Sequence, residues 1–297
     1  GNVIEKVIVP RAPWSLLPAG IWPPGITGTG HGSDDITAPW PRIVVSCGRH
    51  AIGPAIWIKR KNAGRTAIVH AQYPRTAAHQ FDVIVAQSHD ALDGANVITV
   101  LGSMHSITDA SLAAARQKWV GQFEALPRPL VAVLIGGTNK TYHMTADITR
   151  QIANDLLRLK ATSGCGLLVT ASRRTGEENL VTLRDMLSQP GIYYWEGGGE
   201  NPYKAFLEAA DAFLVSADSI NMISEACFTG KPVYILPIEG GAGSKFERFH
   251  RELSEAGHTR MFAGDLEDWS PVRLDQTTFA AREIFIRLSG DGSTQVK

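Results

Sequence analysis

The feature that most limits the fold of this chain is the hexapeptide Leu130-Val131-Ala132-Val133-Leu134-Ile135, which has no polar residue and a Gly-Gly pair behind it. Such a run is short for a helix and too continuous for a strand with one wet face. It suits a parallel strand covered on both faces. Similar runs lie at 3–9, 42–47, 66–72, 81–87 and 96–101, then at 167–170, 192–195, 212–215 and 232–236. Stretches of helical period separate many of them, at 52–61, 108–126 (with Thr108 or Asp109 as N-cap), 145–160, 177–187, 202–210, 219–228 and 244–256. This alternation predicts an α/β protein of two Rossmann-like doubly wound domains facing a cleft. The second sheet has six strands if residues 260–262 also pair.

Pro127-Arg128-Pro129 stops a helix and cannot continue a strand ladder. The domain boundary is therefore expected there, giving residues 1–127 and 128–297. The last helix, 276–288, could pack back on the first domain. A length of 297 residues agrees with two domains. No apolar run is long enough to span a bilayer. Three dispersed cysteines argue against a disulfide scaffold or a structural zinc and suit a reducing cytosol.

The formal net charge of zero argues against a general nucleic-acid binder, but it conceals an asymmetry. Residues 36–81 contain no acid but hold Arg42, Arg49, Lys59, Arg60, Lys61, Arg65 and Arg75. That run points to an anionic acceptor or docking surface. Residues 10–41 contain seven prolines, five glycines and three tryptophans, which excludes regular helix or central strand. This stretch could pack on its own domain, or residues 14–22 could make a peripheral membrane contact, since Trp favours the headgroup zone.

In open parallel sheets ligands bind beyond the carboxyl ends of the strands, beside helix N-termini. The candidates therefore lie just after each strand. Gly136-Gly137-Thr138-Asn139-Lys140 combines close backbone approach, hydrogen-bonding groups and a point charge suited to phosphate. Its spacing is not that of a Walker loop. Ser172-Arg173-Arg174 offers guanidinium forks for phosphate oxygens. Ser216, Asp218, Ser219, Asn221, Met222 and Glu225 run from a strand into a helix. The free N–H groups of that helix's first turn could hold a phosphate. Helical spacing sets Asp218, Asn221, Met222 and Glu225 on one face, with Glu225 deep enough to accept ribose hydroxyls.

On the first domain the candidates are Gly48, Arg49, Arg75 and His105 on the acceptor side, with His89 and Asp90 as a possible catalytic base. For His89 the plain structural alternative is a cap on the next turn, and His105, just after Gly102, is similarly placed. Gly240-Gly241-Ala242-Gly243 could form a lip over the donor. No spaced set of His, Asp and Glu resembles a metal site.

The strand, Ser/Asp-rich helix start, Glu and Gly230-Lys231-Pro232 turn resemble the nucleotide-sugar half of GT-B glycosyltransferases. More closely, the chain resembles the mitochondrial fission "elongated mitochondria" family. The matching pieces are Ser46–Arg49, Gln72–Arg75, His89-Asp90, 96–102, Ile135–Lys140, Thr170–Thr175 and Ser216–Ala226. The resemblance implies a GT-B fold and use of a nucleotide-diphosphate sugar as substrate, with no separate cofactor. It also implies a further strand and Gly-containing loop before residues 1–9, a unit not found in this sequence.

The function expected is a metal-independent glycosyltransferase with an anionic or lipid-linked acceptor. It is expected to be cytoplasmic, with peripheral contact at the inner face of a membrane as an option. The catalytic base would be His89, Asp90 or a residue of the further unit. The rivals are a non-catalytic membrane-associated recruitment scaffold of GT-B shape and a nucleotide-sugar epimerase.

Overall fold

The computed structural model describes residues 2–17, 25–76 and 78–290. The chain forms two compact units, residues 1–100 with 278–297, and residues 101–277.

The first unit carries a four-stranded parallel sheet, β1 (Ile43–Cys47), β2 (Ala67–Ala71), β3 (Val83–Gln87) and β4 (Val97–Val100), in sequential order. Helix α1 (Ile52–Lys61) crosses from β1 to β2 and buries Ile52, Ala55 and Ile56 against Ile68 and Ile84. β3 is covered on both faces, as its unbroken apolar run requires. β1 is an edge strand, and Ile43 and Val45 remain exposed.

The run at 3–9 is not a sheet strand. It is extended, largely exposed and tied to a neighbouring loop: Val7 N–H donates to Asp34 Oδ2 at 2.6 Å, and Gly30 N–H donates to the Val9 carbonyl at 2.7 Å. Val7 and Val9 take their backbone partners from the Gly/Pro-rich stretch rather than from a ladder. In the expected membrane segment Leu16 is exposed and Trp14, Ser15 and Leu17 are half-buried, while residues 18–22 lie outside the described residues.

The second unit opens with α2 (Asp109–Lys118), whose Thr108 and Ser111 form a reciprocal capping box. The helix stops at Lys118, short of the expected 126, and residues 119–125 are turns. β5 (Leu130–Ile135) follows, then the two-residue β6 (Tyr142–His143), α3 (Ala146–Ser163), β7 (Gly166–Ala171) and α4 (Glu177–Leu187). Next come β8 (Ile192–Trp195), α5 (Tyr203–Ala209), β9 (Ala212–Ser216), α6 (Ile220–Cys227) and β10 (Val233–Leu236). The chain continues through β11 (Glu239–Gly240), α7 (Lys245–Glu255), β12 (Arg260–Met261) and α8 (Gln276–Ser289). Six of these strands form one parallel sheet in the order β8-β7-β5-β9-β10-β12. Residues 260–261 supply the sixth strand.

Counted within the unit, the order is 3-2-1-4-5-6, the doubly wound dinucleotide-binding order. Chain direction across the sheet reverses between β5 and β9, so their carboxyl ends flank the topological switch point. Every residue of β5 is buried, as its sequence demands. The division between units falls before α2 rather than at Pro127–Pro129, because α2 packs against α5 of the second sheet. From Thr278 onward α8 groups with the first unit.

Candidate functional site

At the switch point three loops converge after β5, β7 and β9, and Asp218 ties them together. Its Oδ2 accepts from Gly137 N–H at 3.0 Å and pairs with Arg174 Nη2 at 2.8 Å. Its Oδ1 accepts from Ser216 Oγ at 2.6 Å, and Ser216 Oγ in turn accepts from Gly136 N–H at 2.7 Å. The Asp218 side chain is fully buried. Burial, with the Asp218 and Glu247 carboxylates nearby, pushes the neighbouring Tyr142 phenol up to about 12.

Gly136 and Gly137 therefore admit protein, not ligand. A Cβ on Gly136 would lie 2.2 Å from the Asp218 carboxylate oxygens, and one on Gly137 would lie 2.1 Å from the Arg174 carbonyl. The rest of the loop is also internally satisfied. Thr138 N–H donates to the Arg174 carbonyl at 3.0 Å, and Thr138 Oγ1 accepts from Met144 N–H at 3.0 Å. Asn139 Oδ1 accepts from the amides of Thr141 and Tyr142, and its Nδ2 donates to the Asp218 carbonyl. Ser172 Oγ donates to the Gly136 carbonyl at 3.0 Å.

The groups still facing outward are cationic or belong to a helix end. Lys140 and Arg173 are exposed and make no ion pair among the described residues. Arg174 is anchored by Asp218 yet 45% exposed, so part of its fork stays available. Ser219 caps α6 by accepting from Met222 N–H at 3.4 Å, and the first-turn amides of Ile220 and Asn221 have no intrahelical acceptor. This edge of the sheet can hold an anion.

Deeper along α6, Ile223, Ala226 and Cys227 are buried in the core, while Asn221 is exposed and Met222 and Glu225 are half-buried, as the helical spacing predicts. Glu225 Oε2 accepts from Tyr203 Oη at 2.5 Å. Burial pushes the Glu225 carboxyl up, and the Tyr203 hydrogen bond and the Lys204 charge pull it back. Sequence reasoning overlooked Tyr203. Its only signal was a tyrosine opening a helix behind Asn201-Pro202.

In the first unit, a cavity of about 690 Å³ at the carboxyl ends of β2 and β3 is lined by Tyr73, Arg75, Thr76, His89 and Asp90. Gln72 (φ 84°), Arg75 (φ 52°) and Ala91 (φ 50°) adopt left-handed backbone around it, which is costly without glycine. His89 Nε2 and Asp90 Oδ1 are 3.9 Å apart, too far for a hydrogen bond. Gly48 has φ 75° and opens the turn that carries Arg49, whose guanidinium donates to the Ser15 carbonyl and to His50 Nε2, both at 2.9 Å.

His105, expected on the acceptor side, belongs to the second unit. Its ring packs edge-on against Phe228 at 5.1 Å, and burial lowers its pKa. Of the basic run, Arg42, Lys59, Arg60, Lys61 and Arg65 lie at the amino ends of β1 and β2, because α1 returns the chain to the start of β2. Only Arg49 and Arg75 follow carboxyl ends. The expected lip is held by pairing of Gly240 with Tyr142 and of Glu239 with His143.

The family model for mitochondrial fission ELM1 matches residues 1–288. This chain belongs to that family. Mitochondrial fission protein ELM1 of Arabidopsis thaliana is 33% identical, over 85% of this chain and 65% of the plant protein. The chain thus spans a little under two thirds of that relative. Uncharacterized protein RP120 of Rickettsia prowazekii (strain Madrid E) is 24% identical, over 82% of this chain and 79% of its own. Among solved structures, UDP-GlcNAc 2-epimerase from Methanocaldococcus jannaschii superposes with a TM-score of 0.58 at 15% identity, covering 84% of this chain and 77% of that one. Its complex with UDP-GlcNAc and UDP gives a TM-score of 0.50 at 13% identity, over 84% and 76% of the two chains. The ELM1-family chain therefore has an α/β fold of the GT-B type, as the sequence resemblance implied.

Proposed function

We propose that this ELM1-family chain is a glycosyltransferase whose second unit binds a nucleotide-diphosphate sugar. The observation that carries this is the pairing, on one helix at the switch point, of open first-turn amides at Ile220 and Asn221 with a carboxylate at Glu225. The diphosphate would lie on the α6 N-terminus, neutralised by Arg173, Arg174 and Lys140. Glu225 would accept the ribose hydroxyls. Transfer would form a bond from an acceptor oxygen to the anomeric carbon and break the bond to the diphosphate oxygen. The cations and helix end would stabilise the leaving charge without a metal. The acceptor proton would pass to a general base, for which the first unit offers His89 and Asp90 as candidates, and Arg75 beside them suits an anionic group.

A uridine nucleotide is the first probe, because the Methanocaldococcus relative was solved with UDP-GlcNAc and UDP. Calorimetric titration of the chain with UDP and other nucleoside diphosphates should show saturable binding, weakened about tenfold by Glu225→Gln, the loss of one or two buried hydrogen bonds. No binding by any nucleotide would overturn the assignment and favour the recruitment scaffold, with its membrane contact through residues 14–22. The likeness to a 2-epimerase favours one further reading, epimerisation of the bound sugar. Analysis of products from UDP-GlcNAc with and without acceptor separates the two.

A further inference from the structure

Tyr203 lies at the start of α5, yet its hydroxyl is committed to α6, where it donates to Glu225 Oε2 at 2.5 Å. A phenol has one proton to give, whereas a carboxylate has about four acceptor positions. The contact therefore uses part of Oε2 and leaves Oε1 for a ligand. Both side chains are only partly accessible, so water competes weakly, and a charge-assisted bond there is stronger than at the surface. The bond favours the carboxylate form of Glu225 against its burial and restricts its rotamer. A protonated Glu225 would turn one oxygen into a donor, and a freely rotating one would hold two neighbouring hydroxyls less well.

We propose that Tyr203 is a positioning and specificity-determining residue, holding Glu225 as an ionised, fixed acceptor for the paired hydroxyls of a ribonucleoside. The second unit then prefers ribonucleotides to 2′-deoxyribonucleotides. This rests on the donor-site assignment above. A mere staple between α5 and α6 would contribute stability but would not set the ratio of the two affinities.

The test uses the whole chain with UDP and 2′-deoxy-UDP, titrated between about pH 5 and 8, the range that spans a raised carboxyl. The wild type should bind UDP about tenfold more tightly, as expected for one buried hydrogen bond. In Tyr203→Phe that ratio should fall toward one, and loss of UDP binding on acidification should begin at higher pH. Tyr203→His, which keeps a donor, should restore part of both. An unchanged ratio and pH edge in a folded Tyr203→Phe protein would overturn the proposal. If Tyr203→Phe does not fold, the same two readouts in Tyr203→His decide: wild-type-like values support the proposal, and a lost preference with the donor retained overturns it. The carboxyl carbon of Glu225, followed by NMR without nucleotide, is an independent readout. Its titration should move up in Tyr203→Phe, and no movement would remove Tyr203 from this role. Failure of the wild type to bind either nucleotide would defeat the donor-site assignment and the specificity with it, while the NMR titration would still test the Tyr203–Glu225 coupling.

Discussion

Arg174 Nη2 and Asp218 Oδ2 meet at 2.8 Å with the carboxylate fully buried and the guanidinium about half exposed. The asymmetry separates their roles: Asp218 organises the loops around the switch point, and Arg174 presents charge outward from a fixed base.

Asp218→Ala should destabilise the second unit by about 2–4 kcal/mol, because it leaves the Gly137 N–H and Arg174 without their buried partner. Arg174→Met should cost less, about 1–2 kcal/mol: the buried Asp218 carboxylate loses its counter-charge but keeps its hydrogen bonds from Gly137 N–H and Ser216 Oγ. Urea unfolding of the two variants checks the order, and equal losses would contradict it.

Gly137→Ala should cost roughly 2–3 kcal/mol, because the new methyl lands on the Arg174 backbone, which cannot move like a side-chain tip. Gly198→Ala, where a Cβ meets nothing within 4 Å, is the matched control and should leave stability unchanged or slightly higher. Two indistinguishable unfolding midpoints would refute the packing argument.

His70 is buried beside Ser46, with Nδ1 2.9 Å from Oγ, and burial lowers its pKa from 6.5 to about 4. Above pH 6.5 both folded and unfolded chains carry a neutral ring, so the group adds no pH dependence to stability. As pH falls from 6.5 toward 4 the unfolded chain binds the proton first, and stability drops by up to roughly 3 kcal/mol. Thermal melts across that range should show a smaller acid-induced loss for His70→Asn than for the wild type. Parallel curves would show that His70 does not titrate this way.

Arg173→Ala should weaken UDP binding five- to tenfold, roughly the loss of one charge-assisted bond to phosphate, while changing folding stability by no more than about 0.5 kcal/mol. The weakening should shrink at high salt, where screening already reduces the charge contribution. Calorimetry at two salt concentrations measures both effects. Unaltered affinity would remove Arg173 from the diphosphate site.

Period and composition carried much of the architecture. The α1, α4 and β8 boundaries match the residue pattern, and the apolar run of β5 is the fully buried strand it resembled. The faces of α6 were readable too, because a 3.6-residue repeat is a local property. At residues 3–9 the same kind of reasoning failed. A β-branched run needs a partner ladder to become a strand, and Asp34 and Ser33 supplied other partners. The domain division failed similarly, since prolines mark where a helix stops, not which sheet α2 packs against.

The sequence by itself determined the strand-helix rhythm, the positions of the loops and the residue types at the switch point. Only the tertiary structure decided what those residues do. Gly136, Gly137 and Asp218 looked like ligand groups because they follow strands, but strand order brings residues 80 or more positions apart into contact, where they satisfy one another. Tyr203 is joined to Glu225 in the same way, across 22 residues and two helices. Hydrogen-bond partners chosen across a sheet leave no periodic trace in the chain, which is why the fold could be read locally and the working faces of its loops could not.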